Sequence, residues 1–220
     1  DDDGDGSIYF SELVGETWSK PSLLGFEKDK FGEQVAISNI NSDAWETSAV
    51  LSADKNTIYF VSDRDGGYGG RDIYKSIRLP NRKWALARNL GSDINTPYDE
   101  DAPFIHPDGV QLIFSSNRQE SMGGFDVFTS DLLENGVWTK PQNIGYPINT
   151  TDDDIFYITS ADGKRAYYAS TKPGGFGEHD IYKVDLIEAE EKNLTVLTGT
   201  ITDQAGDVPA FTEIIVTNNE

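Results

Sequence analysis

The chain has 220 residues, no cysteine, and a formal net charge of −20 at pH 7 from 38 acidic and 18 basic side chains. Without cysteine there are no disulfides and no thiolate metal sites. The negative charge argues against nucleic acid and anionic membrane surfaces as partners, and favours cations or a basic protein surface. No apolar stretch is long enough to span a bilayer, so no transmembrane segment is predicted in this chain.

The first twelve residues contain an acidic motif that fits the loop of an EF-hand. Asp1, Asp3 and Asp5 match loop positions 1, 3 and 5, and Glu12 matches position 12. Oxygen ligands at this spacing are typical of calcium sites, so these four residues are candidate calcium ligands. The residues that follow, which include Pro21, argue against a second EF-hand helix. The alternative is an acidic turn before a strand.

Most of the chain is a tandem repeat of 54 residues. Asp72, Asp126 and Asp180 each precede an apolar–aromatic pair, and many other positions recur at the same spacing without a gap. Each unit holds short alternating segments separated by turn signals such as Asp108-Gly109. Four antiparallel strands per unit predict the blade of an all-β β-propeller. The rival fold is a β-solenoid, whose repeats are shorter.

The repeat predicts how the chain is divided. We expect a propeller over residues 1–186, a linker at 187–193, and the start of a β-sandwich at 194–220. Within the propeller we expect half a blade at 1–25, an insertion at 26–39, and blades at 40–91, 92–145 and 146–186. In the second full blade the strands are predicted at 102–105, 110–116, 126–132 and around Trp138.

Three motifs resemble a known family. They are Ser160–Gly163 with the following Ala166-Tyr167-Tyr168, the run Gly174–Tyr182, and Trp138–Gly145. Together they resemble the TolB-like propeller repeats of OmpA-family envelope proteins from Bacteroidetes-type bacteria, over about residues 1–186. The chain from Leu194 onward resembles the start of a carboxypeptidase regulatory-like domain, which follows the propeller in some of those proteins.

The resemblance implies a location and a role. Similar propellers occur in periplasmic lipoproteins of the type IX secretion system, so it implies a periplasmic, outer-membrane-associated scaffold with envelope proteins as partners. We expect no catalysis and no required cofactor, because the motifs recur for folding and no catalytic triad or P-loop is present. The alternatives are a propeller that binds glycan or peptidoglycan fragments, and a propeller hydrolase or lyase.

Three recurring acids are candidates for a site near the central channel. Glu46, Glu100 and Asp154 stand at the start of the innermost strand of each blade, where they could bind a cation or a basic peptide. The alternative is structural. Basic residues recur with the same period, and ion pairs between blades would use both sets; these basic residues are Arg64, Arg118 and Lys172.

The glycine-rich loops contain a second candidate site. Tyr68, Phe125 and Phe176 are interpreted as equivalent loop aromatics that could stack on a sugar, hold a peptide, or cover the blade ends. The recurring Asp72, Asp126 and Asp180 are expected to bond the loop backbone. His106 is predicted to be a turn residue and His179 a loop residue, neither of them catalytic.

Overall fold

The computed structural model describes residues 6–28, 30–31 and 33–186, and this part of the chain is all β-structure. No helix in these ranges could cross a membrane. The strands are β1 (Tyr9–Phe10), β2 (Leu13–Val14), β3 (Thr17–Trp18), β4 (Ser22–Leu23), β5 (Phe26–Lys28), β6 (Gln34–Ala36), β7 (Glu46–Leu51), β8 (Thr57–Ser62), β9 (Asp72–Ile77), β10 (Arg88–Asn89), β11 (Glu100–Ile105), β12 (Gln111–Ser116), β13 (Asp126–Asp131), β14 (Gln142–Asn143), β15 (Asp154–Thr159), β16 (Arg165–Ser170) and β17 (Asp180–Asp185).

Three antiparallel sheets follow one another along the chain. The first consists of β7 to β10, the second of β11 to β14, and the third of β15 to β17, each in simple up-and-down order. Their strands lie within residues 40–91, 92–145 and 146–186. The architecture is the all-β arrangement of blades that the repeat predicts, and we call the three sheets the first, second and third blades.

The first strand of every blade contains a bulge at the same repeat position. In the first blade the register with the second strand shifts between Thr47 and Val50. The equivalent shifts lie between Asp101 and Phe104 in the second blade and between Ile155 and Ile158 in the third. A bulge adds one residue to one strand and increases its twist. One residue inside each bulge has a positive φ: Ser48 at 35°, Ala102 at 48° and Phe156 at 58°.

The blades pack face to face through apolar side chains. Successive residues of a strand point to opposite faces, so Phe114 belongs to the cluster shared with the first blade and Ile113 to the cluster shared with the third. The first cluster also contains Val61, Ile73, Leu112, Phe128 and Trp138. The second also contains Val127, Tyr157, Ala166 and Tyr168. These two clusters, together with a third that contains Ile40, Phe60 and Tyr74, form the hydrophobic core.

The N-terminal part forms the outer half of a blade. β1 pairs with β4 so that Tyr9 lies opposite Leu23. In the first blade, Tyr74 lies opposite Asn89 at the equivalent position, so the two strand pairs have the same register. Asn41 joins this half-blade to the first blade, since its Oδ1 accepts from Ile8 N at 2.7 Å. The predicted insertion at 26–39 contains the short hairpin of β5 and β6.

The fourth strand of the second blade differs from the prediction. The strand β14 begins at Gln142, whereas Trp138 forms only an isolated bridge with Leu132. Between this bridge and β14, Ser130 Oγ donates to Thr139 O at 2.6 Å, and Thr139 N donates to Asp131 O at 2.9 Å. The first blade has the same bond from Ser76 Oγ to Ala85 O, at 2.7 Å.

Several predictions fall outside the described residues. They are the linker at 187–193, the β-sandwich start at 194–220, and three of the four candidate calcium ligands, namely Asp1, Asp3 and Asp5. The fourth, Glu12, is exposed and precedes β2.

Candidate functional site

The recurring acid of the second blade is buried and fully bonded. Glu100 begins β11, and its side chain is 0% exposed. Its Oε1 accepts from Thr96 Oγ1 at 2.6 Å, from Ser116 Oγ at 2.9 Å and from Arg118 Nη2 at 3.1 Å. Its Oε2 accepts from Thr96 N at 2.8 Å. Burial raises the pKa of Glu100 and lowers that of Arg118, and their mutual attraction opposes both shifts.

The first blade repeats this cluster with the equivalent residues. Glu46 accepts from Ser42, from Ser62 Oγ at 2.9 Å and from Arg64 Nη2 at 2.9 Å. Arg64 also donates to the carbonyl oxygens of Asn39 and Ile40, both at 2.7 Å. The guanidinium therefore holds the chain segment that enters the blade.

Each guanidinium also lies over two aromatic rings of its own blade. Arg118 is 5.0 Å from the ring centroid of Phe114 and 4.9 Å from that of Phe128, which is the geometry of a cation–π contact. Arg64 lies in the same way over Phe60 and Tyr74. The arginine thus belongs to the packed interior of the blade.

These contacts correct the interpretation of the acids as a channel-mouth site. The carboxylates of Glu46 and Glu100 have no exposed surface, so they do not present charge to a cation or peptide in solution. The alternative, in which these acids form structural ion pairs with the recurring basic residues, describes them better. One part of that alternative changes, namely which strands the ion pairs join. The ion pairs join Glu46 to Arg64 and Glu100 to Arg118 inside one blade, not across two blades.

The third blade departs from this pattern. Asp154 is buried, and its Oδ2 accepts from Thr150 N at 2.7 Å and from Thr150 Oγ1 at 2.8 Å. Its Oδ1 has no hydrogen-bond partner among the described residues. Lys172, which takes the place of the arginine, donates to Pro147 O at 2.6 Å and to the Tyr168 hydroxyl instead.

The recurring aspartates fix the loops between the second and third strands. Asp72 Oδ2 accepts from Tyr68 N at 2.6 Å, and Asp126 Oδ2 accepts from Met122 N at 2.6 Å. Asp180 Oδ2 accepts from the N–H of Phe176 at 2.7 Å in the third blade. The predicted bonds from these aspartates to the loop backbone are confirmed.

The same bonds show which loop residues are equivalent, and they correct the predicted trio. Phe125 is not the counterpart of Tyr68 and Phe176; Met122 is, both by its bond to Asp126 and by the 54-residue spacing. Phe125 instead lies between blades. Its N–H donates to Asp153 Oδ1 at 2.8 Å, and its ring centroid lies 5.3 Å from the guanidinium carbon of Arg71.

The three equivalent side chains are exposed. Tyr68 is 50% exposed, Met122 is 49% exposed, and Phe176 is fully exposed. They occupy the same connection in three successive blades, so we call Tyr68, Met122 and Phe176 the loop row. The signal for this row in the sequence is the 54-residue spacing, which includes Met122 although its side chain is not aromatic.

Both histidines lie in connections between strands. His106 is buried in the turn before β12, where its carbonyl oxygen accepts from Gly109 N at 2.8 Å, so the predicted turn role is confirmed. His179 is an exposed loop residue. Across the described ranges, no group of three or more His, Cys, Asp or Glu side chains could hold a metal ion.

Comparison with known proteins gives a fold and no family. No family model and no curated protein matches the chain. Among solved structures, the chain is similar to TolB from Agrobacterium tumefaciens, with 18% identity, a TM-score of 0.50, and coverage of 83% of this chain and 54% of that one. It is also similar to a puromycin-hydrolyzing peptidase of Mycobacterium tuberculosis, with 18% identity, a TM-score of 0.53, and coverage of 86% and 30%.

These likenesses agree with the sheet order and the face-to-face packing. The fold is that of a TolB-like β-propeller. The chain spans about half the length of the TolB structure and under a third of the peptidase. At 18% identity the likeness carries the fold alone, and function must be argued from this chain's own surface.

Proposed function

We propose that this chain is a non-catalytic scaffold propeller whose loop row binds a protein partner. The observation that carries the proposal is the exposure of Tyr68, Met122 and Phe176 at one repeated position. Exposed apolar side chains that recur in register form a contiguous docking surface more readily than scattered ones.

The backbone under the loop row is held in place. Each row residue donates its N–H to an aspartate of its own blade, and in the first two blades an asparagine also donates to that aspartate. Asn89 and Asn143 make these bonds at 2.7 Å. Side chains on a preorganised backbone lose less conformational entropy on binding, which favours a stable complex.

The chemistry of the row favours a protein over a glycan. Met122 stands in the middle of the row, and its flexible thioether adapts to apolar protein surfaces, whereas sugar stacking uses flat aromatic rings. The net charge of −20 adds a preference for a partner with a basic rim, since opposite potentials speed association. A glycan-binding propeller remains the alternative that the experiment below addresses.

The polar residues that recur in the blades support a non-catalytic role. The recurring acids and arginines of the first two blades bond one another, and the recurring aspartates bond loop backbone. A catalytic site needs polar groups that are free to meet a substrate. Here these groups are used to hold the blades.

The setting that we propose comes from the motif resemblance and the TolB-like fold. OmpA-family envelope proteins with such repeats are periplasmic and associate with the outer membrane, and some belong to the type IX secretion system. We therefore propose that the partner is an envelope protein of an outer-membrane-associated complex in the periplasm.

The experiment compares two surface variants in cells. Protein complexes are crosslinked in the envelope and purified through the protein, the Y68S/M122S/F176S variant, or the L79S/L133S/V137S control. The control residues are also exposed and apolar, but they lie in connections between the third and fourth strands, at the opposite ends of the blades.

Loss of specific envelope proteins from the row variant, with their retention in the control, supports the proposal. Equal protein recovery from both variants contradicts it. Loss of bound glycan from the row variant, without loss of any protein, would favour the glycan-binding alternative.

A further inference from the structure

A cavity lies between the first and second blades, at the end of the blades opposite the loop row. Its volume is about 450 Å³, which is within the range of small-molecule sites. β8 runs from Thr57 at the cavity to Ser62 at the other end, where the connection that carries Tyr68 begins. The cavity is therefore separate from the surface proposed above to bind a protein. The polar side chains in its lining are Ser52, Asp54, Thr57, Tyr59, Lys75 and Asp108.

Two of these side chains have donors without a partner. Tyr59 and Lys75 lie directly opposite each other in the β8–β9 ladder, so they share the face of the first blade that packs on the second. Neither the Tyr59 hydroxyl nor the Lys75 ammonium has a hydrogen-bond or ion-pair partner among the described residues. Tyr59 is only 5% exposed. A buried hydroxyl without a partner is costly, and a ligand in the cavity would remove that cost.

The fold of a blade does not require these two donors. The equivalent residues of the second blade are Ile113 and Thr129, which also lie opposite each other. The ring of Tyr59 packs on Trp138, and this contact does not use the hydroxyl. By contrast, the buried acid–arginine pairs that hold the first two blades recur in both. The hydroxyl and the ammonium are therefore available for binding.

Two carboxylates line the same cavity, one from each blade. Hydrogen bonds lower the pKa of Asp54, first that from Ser52 Oγ at 2.5 Å and then that from Asn56 N at 3.0 Å, so Asp54 is ionised at neutral pH. Burial and, after it, the charge of Asp54 raise the pKa of Tyr59, so its hydroxyl stays protonated and can donate. Asp108 stands at the equivalent turn of the second blade. One cavity thus contains both signs of charge.

We propose that this cavity binds a zwitterionic ligand of about the size of a dipeptide. The carboxylate of the ligand accepts hydrogen bonds from the Lys75 ammonium and the Tyr59 hydroxyl. Its ammonium group donates to the carboxylates of Asp54 and Asp108. Hydrogen bonds between charged groups are stronger than those between neutral ones, so the two ends of the ligand fix its orientation.

The lining argues against simpler ligands. An anion without an ammonium group would be repelled by the two carboxylates, and a cation without a carboxylate would be repelled by Lys75. A sugar would have no ring to stack on, because Tyr59 is the one aromatic residue among the described lining residues and its ring is packed against Trp138. The apolar side chains of Ile77 and Leu132, which also line the cavity, suit an aliphatic peptide side chain.

Calorimetric titration of the full chain with the dipeptide Ala-Leu tests this site. N-acetyl-Ala-Leu lacks the ammonium group and Ala-Leu amide lacks the carboxylate, so each is a matched probe for one end of the ligand. The Y59F/K75T variant removes both donors and copies the threonine of the second blade. Y167F/K183T is the control, because Tyr167 and Lys183 hold the same positions in the third blade and do not line the cavity.

We expect the parent protein to bind Ala-Leu with a Kd of about 1 mM or below, as does the control. Y59F/K75T should bind at least about tenfold more weakly, and the parent should bind each blocked peptide with a similar loss. The urea midpoint of Y59F/K75T should match that of the parent, because the groups removed have no partner in the described part of the protein.

Equal affinity of the parent for free and blocked peptides would overturn the proposal, and this comparison does not depend on how any variant folds. Equal binding by Y59F/K75T and the control would also overturn it. So would the absence of saturable binding to the parent at about ten times the expected Kd. None of these results bears on the loop row, which lies at the other end of the blades.

Discussion

Asn95 of the second blade makes two hydrogen bonds to the backbone of Ile73 in the first. Its Oδ1 accepts from Ile73 N at 2.8 Å, and its Nδ2 donates to Ile73 O at 2.9 Å. Asn149 binds Val127 in the same way, with both distances 2.8 Å. An asparagine side chain has the donor and acceptor of a peptide group, so it replaces a missing strand neighbour at the blade junction.

Replacing this asparagine should destabilise the protein strongly. N95A leaves the N–H of Ile73 buried and unpaired, which costs about 1–3 kcal/mol, whereas Ile73 O keeps its bond from Leu90 N at 3.0 Å. Urea unfolding should therefore show a loss of about 1–3 kcal/mol. N135A is the control, because the Asn135 side chain accepts from Val137 N in an exposed turn. Equal losses in both variants would contradict the junction role.

Removing the buried arginine should give a destabilisation that depends on pH. R118M leaves Glu100 without its cation, and such a loss costs about 3–5 kcal/mol near neutral pH. Burial already raises the pKa of Glu100 above 4.5, and losing the cation raises it further, so the folded variant binds a proton more readily than the unfolded chain. The penalty should therefore shrink as the pH falls from 7 towards 4.5.

The control for this experiment is K140M. Lys140 forms an exposed ion pair with Glu120 at 3.7 Å, so its loss should change the free energy of unfolding little at any pH. A penalty for R118M that stays constant between pH 7 and 4.5 would show that Glu100 does not titrate as the burial of its carboxylate requires.

A glycine at the blade junction should not tolerate a side chain. A Cβ at Gly123 would collide with the backbone of Thr151 in the next blade, so G123A should cost about 1–3 kcal/mol through overpacking. Gly177 holds the same repeat position in the third blade, and no described atom lies within 4 Å of its Cβ position. Denaturant unfolding of G177A should match the parent protein, and a comparable loss in both variants would refute the junction contact.

An aromatic contact should anchor the first two blades to each other. Trp138 packs edge-to-face on Tyr59, with ring centroids 6.5 Å apart, and it is almost fully buried. W138A should cost about 3–5 kcal/mol, measured by thermal and urea unfolding. The exposed Trp18 is the control, and W18A should have a far smaller effect.

The sequence alone determined the repeat, most of the strand positions and the turns. These depend on local physics: side chains alternate with a period of two along a strand, and turns such as Asp108-Gly109 require residues that accept positive φ. It also predicted that Asp72, Asp126 and Asp180 bond the backbone of their loops. This bond is local, because each aspartate accepts from the N–H of the residue four positions before it.

Only the tertiary structure decided which polar groups pair and which side chains remain exposed. Glu100 and Arg118 are 18 residues apart, and Asn95 and Ile73 are 22 apart, so their pairing depends on how the strands of one blade and the faces of two blades pack. The periodicity is the same for Glu100 and Asp154. Yet the Glu100 carboxylate is hydrogen-bonded by Ser116, whereas Asp154 Oδ1 and Ser170 Oγ have no hydrogen-bond partner in the part of the chain that the structure describes. Distances of this size are set by packing, which the order of residues along the chain does not show.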